Sequence, residues 1–265
     1  MENKSIKNDR SSLFYRIYGS VDPVMLLHGF GEDGEIFNNL VNALETSFRI
    51  FVPDLVGTGK SEGSTEGCSM ESMAEQINWM MEEEKLTTVN LIGHSMGGYI
   101  SMAFAEKYPE KLSRLGLFHS SALADNEEKK VARQKNIDFI TKHGAAKYIE
   151  QSVPTLFSEK SRTEKPALVD SMVRQYATLT ATSLIDYTKA MINRPERLDV
   201  LKDFPRPVMF LLGEWDNAVP LEAGLKQSHI PGISYTYICT NSGHLGMLEE
   251  PEFCVKSILD FLSRP

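Results

Sequence analysis

The chain has 265 residues, 42% hydrophobic and 24% charged, with 28 basic and 36 acidic side chains and a formal net charge of −8. That composition supplies a large core, and the length suits one α/β domain carrying an insertion. The negative balance and the lack of a basic run argue against nucleic acid or an anionic membrane surface as partner; EEEK at 82–85 and EEKK at 127–130 read as solvated helix faces.

The three cysteines, Cys68, Cys239 and Cys254, are isolated in the sequence and show no CxxC or metal-ligand spacing. They read as small apolar side chains in a reducing compartment. The opening MENKSIKNDRSS has no apolar h-region, so it is not a secretory signal. The longest apolar runs are about five residues, against roughly 20 needed to span a bilayer. A cytoplasmic protein is the expectation.

In chain order, SLFYRIYG (12–19) reads as an early strand, followed by the buried strands PVMLLHG (23–29) and RIFVPDL (49–55). SMESMAEQINWMM (69–81) spaces Met70, Met73, Ala74, Ile77, Met80 and Met81 along one apolar stripe, which predicts a helix. TVNLIGHS (88–95) is a strand that runs directly into the helix MGGYISMAFAEKYPEK (96–111), which stops near Pro109. LSRLGLFHS (112–120) is a further strand. From 121 to 200 there is no convincing strand; Ile137, Ile140, Tyr148, Ile149 and Val153, then Leu168, Val169, Met172 and Tyr176, step at helical intervals. RPVMFLLGEWD (206–216) and SYTYICTNSGH (234–244) return to strand form. PEFCVKSILDFL (251–262) begins with proline at the first position of a helix. Short buried runs alternating with amphipathic helices predict an α/β doubly wound, mostly parallel sheet.

Gly93-His94-Ser95-Met96-Gly97 matches G-x-S-x-G between a predicted strand and a predicted helix, the context this motif requires. The glycines leave room for a sharp turn that exposes a strained serine at a helix N-terminus. Such a serine needs a base, and the base an orienting carboxylate, in the chain order Ser, acid, His. His244 follows the last strand at the sheet's C-terminal edge and is the candidate base. Asp216 is the better-placed acid in GEWDNAVP, with Glu214 as the fallback; alone it would read as a turn-forming Asx residue. The remaining histidines fit lesser roles: His28 braces its loop, His94 lies in the turn, His119 ends a strand, and His143 and His229 are solvated. The oxyanion donors are the backbone N–H groups of Met96 and Phe30, with Gly31 a weaker candidate.

These pieces together resemble the alpha/beta-hydrolase superfamily: HGFG at 28–31, PDLVGTGKS at 53–61, GHSMGG at 93–98, GEWDNAVP at 213–220 and SGHLGMLEEP at 242–251. The resemblance implies an eight-stranded core, formed by 1–120 and 201–265, and a helical cap at 121–200 inserted after the sixth strand. It also implies that His244 takes the proton of Ser95, that Ser95 attacks a carbonyl, and that Asp216 orients His244. GTGKS (57–61) looks like the end of a phosphate-binding loop, but the full pattern requires glycine where Asp54 stands.

Serine at the elbow favours esters, thioesters or amides over the halide and epoxide chemistry that the family runs with Asp there. Leu245 after His244, where the family's C–C hydrolases commonly carry Trp, lowers that reading, and Phe30 after His28-Gly29 departs from the Trp common in cofactor-free haloperoxidases. A small to medium carboxylic ester is the expected substrate, with no cofactor and no metal; oligomeric state is open. The rivals are a slow-turnover ligand receptor of the same fold and a C–C bond hydrolase. Some of the lid aromatics Phe139, Tyr148, Phe157, Tyr176 and Tyr187 are expected to line the acyl pocket.

Overall fold

The computed structural model describes residues 1–9 and 11–264. Nine strands form one mixed sheet: β1 (Glu2–Lys7), β2 (Ser11–Tyr18), β3 (Asp22–Leu27), β4 (Phe48–Pro53), β5 (Glu62–Gly63), β6 (Val89–His94), β7 (Leu112–Phe118), β8 (Val208–Gly213) and β9 (Ser234–Cys239). Eight of them run in the order β1-β2-β4-β3-β6-β7-β8-β9, and the two-residue β5 pairs with β2. From β4 to β9 all neighbours are parallel, while β1, β2 and β5 pair antiparallel.

The sequence reading missed β1. Its ENKSIK is polar and only every second residue is partly buried. An edge strand with one covered face carries little apolar signal. The central strand β6, by contrast, is buried at all six positions, because helices cover both faces. On one face lie α2 (Met70–Glu83) and α3 (Met96–Lys107), whose Met73, Ile77, Met80, Ile100 and Phe104 pack on the sheet. Ser69 caps α2, with the reciprocal Ser72 bond of a capping box. On the other face lie α1 (Asn38–Leu44) and α12 (Pro251–Ser263), through Leu40, Leu44, Ile258 and Phe261.

Between β7 and β8 the chain forms α4 (Glu127–His143), α5 (Ala145–Leu156), α6 (Glu159–Glu164), α7 (Pro166–Tyr176), α8 (Ala181–Asn193) and α9 (Leu198–Asp203), with no strand among the described residues. This segment is bonded to the sheet's loops: Ser183 Oγ donates to the Gly57 carbonyl at 2.8 Å, and Thr65 Oγ1 to Asp186 at 2.9 Å. After β8 come α10 (Leu221–Gln227) and, after β9, α11 (Gly246–Glu249). No helix among the described residues is long and apolar enough to cross a membrane.

Parallel register gathers the chemistry at one edge. Leu27 pairs with Gly93, His94 with Phe118, Phe118 with Leu211 and Gly213 with Cys239. The loops that follow β3, β6, β7, β8 and β9 therefore emerge side by side.

Candidate active site

Ser95 links β6 to α3 with φ 49° and ψ −117°. Among the described residues only Lys85, Ser95 and His119 combine a side chain with positive φ, and two of those three lie here. Glycines permit the turn by close approach. A Cβ on Gly93 would overlap the Gly97 carbonyl, and one on Gly97 would overlap the Leu27 carbonyl. Ser95 N–H donates to Phe118 O at 2.9 Å and Ser120 Oγ to Ser95 O at 2.7 Å. Ser95 is the one residue of 91–100 that is not buried.

His244 and Ser95 line the same cavity, of about 240 Å³. A wider surface groove of about 1030 Å³, between α1 and α12, holds none of the candidate residues. His244 Nδ1 lies 2.8 Å from Asp216 Oδ2. Asp216 Oδ1 accepts the N–H groups of Ala218 and Val219, each at 2.8 Å, so the side chain that meets His244 also forms the Asx turn. Glu214, the fallback acid, is exposed. Burial opposes the charge on Asp216, but His244 and His119 hold its carboxyl well below the ordinary range. Burial lowers His244 below its ordinary value, and the opposing pull of Asp216 does not restore it. A neutral imidazole at neutral pH is a competent base.

Phe30 also lines the cavity. Met96 is the first residue of α3, so its N–H has no intrahelical acceptor. Neither N–H donates to a protein group among the described residues. His28 braces as expected: its Nε2 accepts Leu55 N–H at 3.0 Å and its Nδ1 lies 2.9 Å from Gly29 O. Asp54, at the position that excluded a phosphate loop, accepts from Arg16 Nη1 at 2.7 Å, Gly34 N–H at 2.9 Å and Lys60 N–H at 2.9 Å. Its carboxylate takes the backbone donors of this loop.

Two site residues were missed. His119 is fully buried, with Nδ1 3.3 Å from Asp216 Oδ2, a close contact without hydrogen-bond alignment. Burial disfavours its cation, while Asp216 and Cys239 favour it and would carry it to about 9. However, Gly246 N–H donates to His119 Nε2 at 3.2 Å. That nitrogen must then be an acceptor, and we take the neutral ring, protonated on Nδ1 towards Asp216, as the native state. Glu32, the second, accepts Gly29 N–H at 2.8 Å and faces His94 Nδ1 at 3.0 Å. A strand-ending histidine and a loop glutamate carry no sequence signal for these partners.

The cysteines isolated in sequence are not all isolated in space: Cys239 and Cys254 are buried with sulfurs 3.7 Å apart. Lys129, in the run read as a solvated face, lines the cavity. Of Phe139, Tyr148, Phe157, Tyr176 and Tyr187 only Tyr148 lines it; Phe157, Tyr176 and Tyr187 are core, and Phe139 lies against His143 at 4.6 Å. His119, Asp216 and His244 bring three ligating atoms within 4.8 Å of one another. The 2.8 Å contact of Asp216 with His244 is a direct hydrogen bond, too short to span an ion.

The family profile described as the alpha/beta hydrolase fold matches residues 22–251. The chain is 26% identical to a 2-hydroxy-6-oxo-6-(2'-aminophenyl)hexa-2,4-dienoic acid hydrolase of Metapseudomonas resinovorans, over 93% of this chain and 86% of that one. It is 24% identical to lipase 3 of a Moraxella species, over 86% and 73%. Among solved structures, a thermophilic esterase of Thermogutta terrifontis with malate bound superposes with a TM-score of 0.92 at 26% identity, covering 99% of this chain and 98% of that one.

Proposed function

Because the chain belongs to the alpha/beta hydrolase family, we propose that it is a serine hydrolase that cleaves a small to medium carboxylic ester, or the related thioester or amide, through Ser95, His244 and Asp216. The observation that carries this reading is the strained, accessible Ser95 sharing a cavity with His244, whose far nitrogen is bonded to Asp216.

The proposed steps follow from charge. His244 Nε2 takes the Ser95 proton as Oγ bonds to the substrate carbonyl carbon. The oxygen that becomes anionic is met by the N–H groups of Phe30 and Met96, which have no protein acceptor to give up. Asp216 stabilises the imidazolium. Collapse breaks the ester bond, and the alkoxide leaves with the proton from His244. A water, deprotonated by His244, then releases the acid and restores Ser95. The helices of 121–200 act as a cap over this chemistry: α4, α5 and α7 supply cavity walls, and His244 N–H is bonded to Leu156 O at 2.7 Å.

The test is steady-state hydrolysis of p-nitrophenyl esters from acetyl to long acyl chains, with Ser95→Ala beside the native protein. Turnover that disappears in the variant is expected. Undiminished turnover in Ser95→Ala would sink the reading. The 26% identity to a dienoic acid hydrolase favours C–C cleavage as the second reading. It is checked by following the absorbance of a 2-hydroxy-6-oxo-dienoate incubated with the protein.

A further inference from the structure

The cavity that holds Ser95 and His244 is charged on one wall. Helix α4 places Lys129, Ala132, Arg133 and Asn136 there, at the i, i+3, i+4 and i+7 spacing of a single helix face. Other walls are apolar, with Ile149, Val153, Leu156 and Met172. The two cations are only partly matched. Arg133, with its side chain 15% exposed, places Nε 2.5 Å from Asp125 Oδ2 and makes no other hydrogen bond among the described residues. Its two terminal nitrogens are therefore without a protein acceptor. Asp125 is itself shared: Oδ1 also takes Arg194 Nη2 at 2.9 Å. Lys129 Nζ donates to a neutral acceptor, the Ala218 carbonyl, at 2.9 Å.

The one carboxylate among the residues lining this cavity is Glu32, and it does not supply the missing charge. Its side chain is 2% exposed, and its Oε2 is taken up by Gly29 N–H and His94. The α4 wall thus brings two cations, Lys129 and Arg133, to the cavity, against one carboxylate behind it, Asp125, which Arg133 shares with Arg194; Arg194 lines the neighbouring cavity together with Glu128. Partly buried charge without a partner is costly to fold. A purely neutral substrate gives this wall nothing to do.

We propose that this α4 wall is an anion subsite, and that the protein's substrates are esters whose acyl part ends in a carboxylate. The proposal rests on the serine hydrolase reading of the same cavity. The planar guanidinium of Arg133, held through Nε by Asp125, presents its remaining donors in the geometry a carboxylate accepts. Lys129 adds a point charge at the rim, where a second cavity of about 460 Å³ shares Tyr99, Lys129 and residues 217–219 with the first. The apolar walls suit the methylene stretch between the scissile carbonyl and the terminal carboxylate.

Two measurements test it. The first compares kcat/KM for the p-nitrophenyl hemiester of glutaric acid with that for p-nitrophenyl pentanoate, which replaces the carboxylate by a methyl group. The native protein is expected to favour the hemiester by about tenfold or more, and Arg133→Gln to lower that ratio by a similar factor. Lys129→Gln is expected to lower it less, and serves if the loss of the Asp125 contact unfolds Arg133→Gln. The second is calorimetric titration of the native protein, Lys129→Gln and Arg133→Lys with glutarate, which needs no turnover. Binding to the native protein, weakened in both variants, supports the subsite. Equal kcat/KM for the two esters, or no glutarate binding to the native protein, overturns it. Activity that survives in Ser95→Ala would instead defeat the nucleophile assignment and leave the glutarate result standing by itself.

Discussion

Glu32 Oε2 lies 3.0 Å from His94 Nδ1, and both side chains are wholly enclosed. The other ring nitrogen of His94 lies 2.9 Å from the carbonyl oxygen of His244. Each nitrogen of the buried ring thus meets one oxygen, one from a side chain and one from the backbone. Through this pair the loop after β3, the elbow at Ser95 and the loop of His244 are held to one another. Burial works against the charge on Glu32, yet His94 and Gly29 N–H keep its pKa below the ordinary value of 4.5.

Glu32→Ala therefore removes one partner of a buried pair and is expected to cost about 3–5 kcal/mol. At roughly 2–4 °C per kcal/mol for a chain of this size, calorimetry should record a fall in Tm of about 6–20 °C. The pH dependence has a definite sign. A carboxyl with a depressed folded pKa contributes stability that is whole above its unfolded value and is lost as pH falls through the folded value. The native protein should thus lose stability below pH 4.5 more steeply than the variant does. Parallel acid-unfolding curves would contradict a depressed Glu32 carboxyl.

The base is expected to show itself in the rate profile. His244 titrates below its ordinary 6.5, so kcat/KM for a p-nitrophenyl ester should have its acid limb below pH 6.5. Asp216→Asn should reduce kcat by about 10³–10⁴-fold, since the imidazolium loses its counter-charge. An acid limb above 6.5 in the native protein would place the base elsewhere.

His119 lies against Asp216 Oδ2, the same oxygen that His244 Nδ1 meets, and is expected to act as a positioning residue. His119→Phe keeps a ring but leaves Gly246 N–H without its acceptor and removes the polar contact with Asp216. A loss in kcat/KM of roughly tenfold is expected, the size of one lost hydrogen bond, here that of Gly246 N–H beside His244. With the polar contact of His119 gone, the Asp216 charge acts more strongly on His244, whose cation it favours. Removal of His119 should move the acid limb upward. A purely structural residue would lower Tm and leave the limb in place.

Glu249 ties the His244 loop to the start of α6. Its Oε1 accepts Gly243 N–H at 2.8 Å, and its Oε2 accepts Ser158 N–H at 2.9 Å. Glu249→Ala leaves both donors buried without acceptors, at about 1–3 kcal/mol each. Thermal unfolding should show the loss, and kcat should fall with it because His244 N–H hangs on the same loop through Leu156 O. An unchanged kcat beside a lowered Tm would separate loop anchoring from catalysis.

The sequence by itself determined the parallel core and the strand-to-helix turn that carries Ser95. Burial of β6 on both faces forces a continuous apolar run, and the turn at Ser95 admits only glycine at positions 93 and 97, so both leave a local signature. The His244–Asp216 contact was legible because each residue lies in the short loop after its strand, and parallel register sets those strand ends side by side. Strand β1 was not legible, since pairing along an edge asks little of side-chain character. Only the tertiary structure decided that His119 meets Asp216, that Glu32 meets His94, and that one face of α4 turns Lys129 and Arg133 towards Ser95. Those contacts join residues 62 to 97 positions apart, or set a charged helix face inward where its composition matches a solvated one, and no local periodicity encodes either.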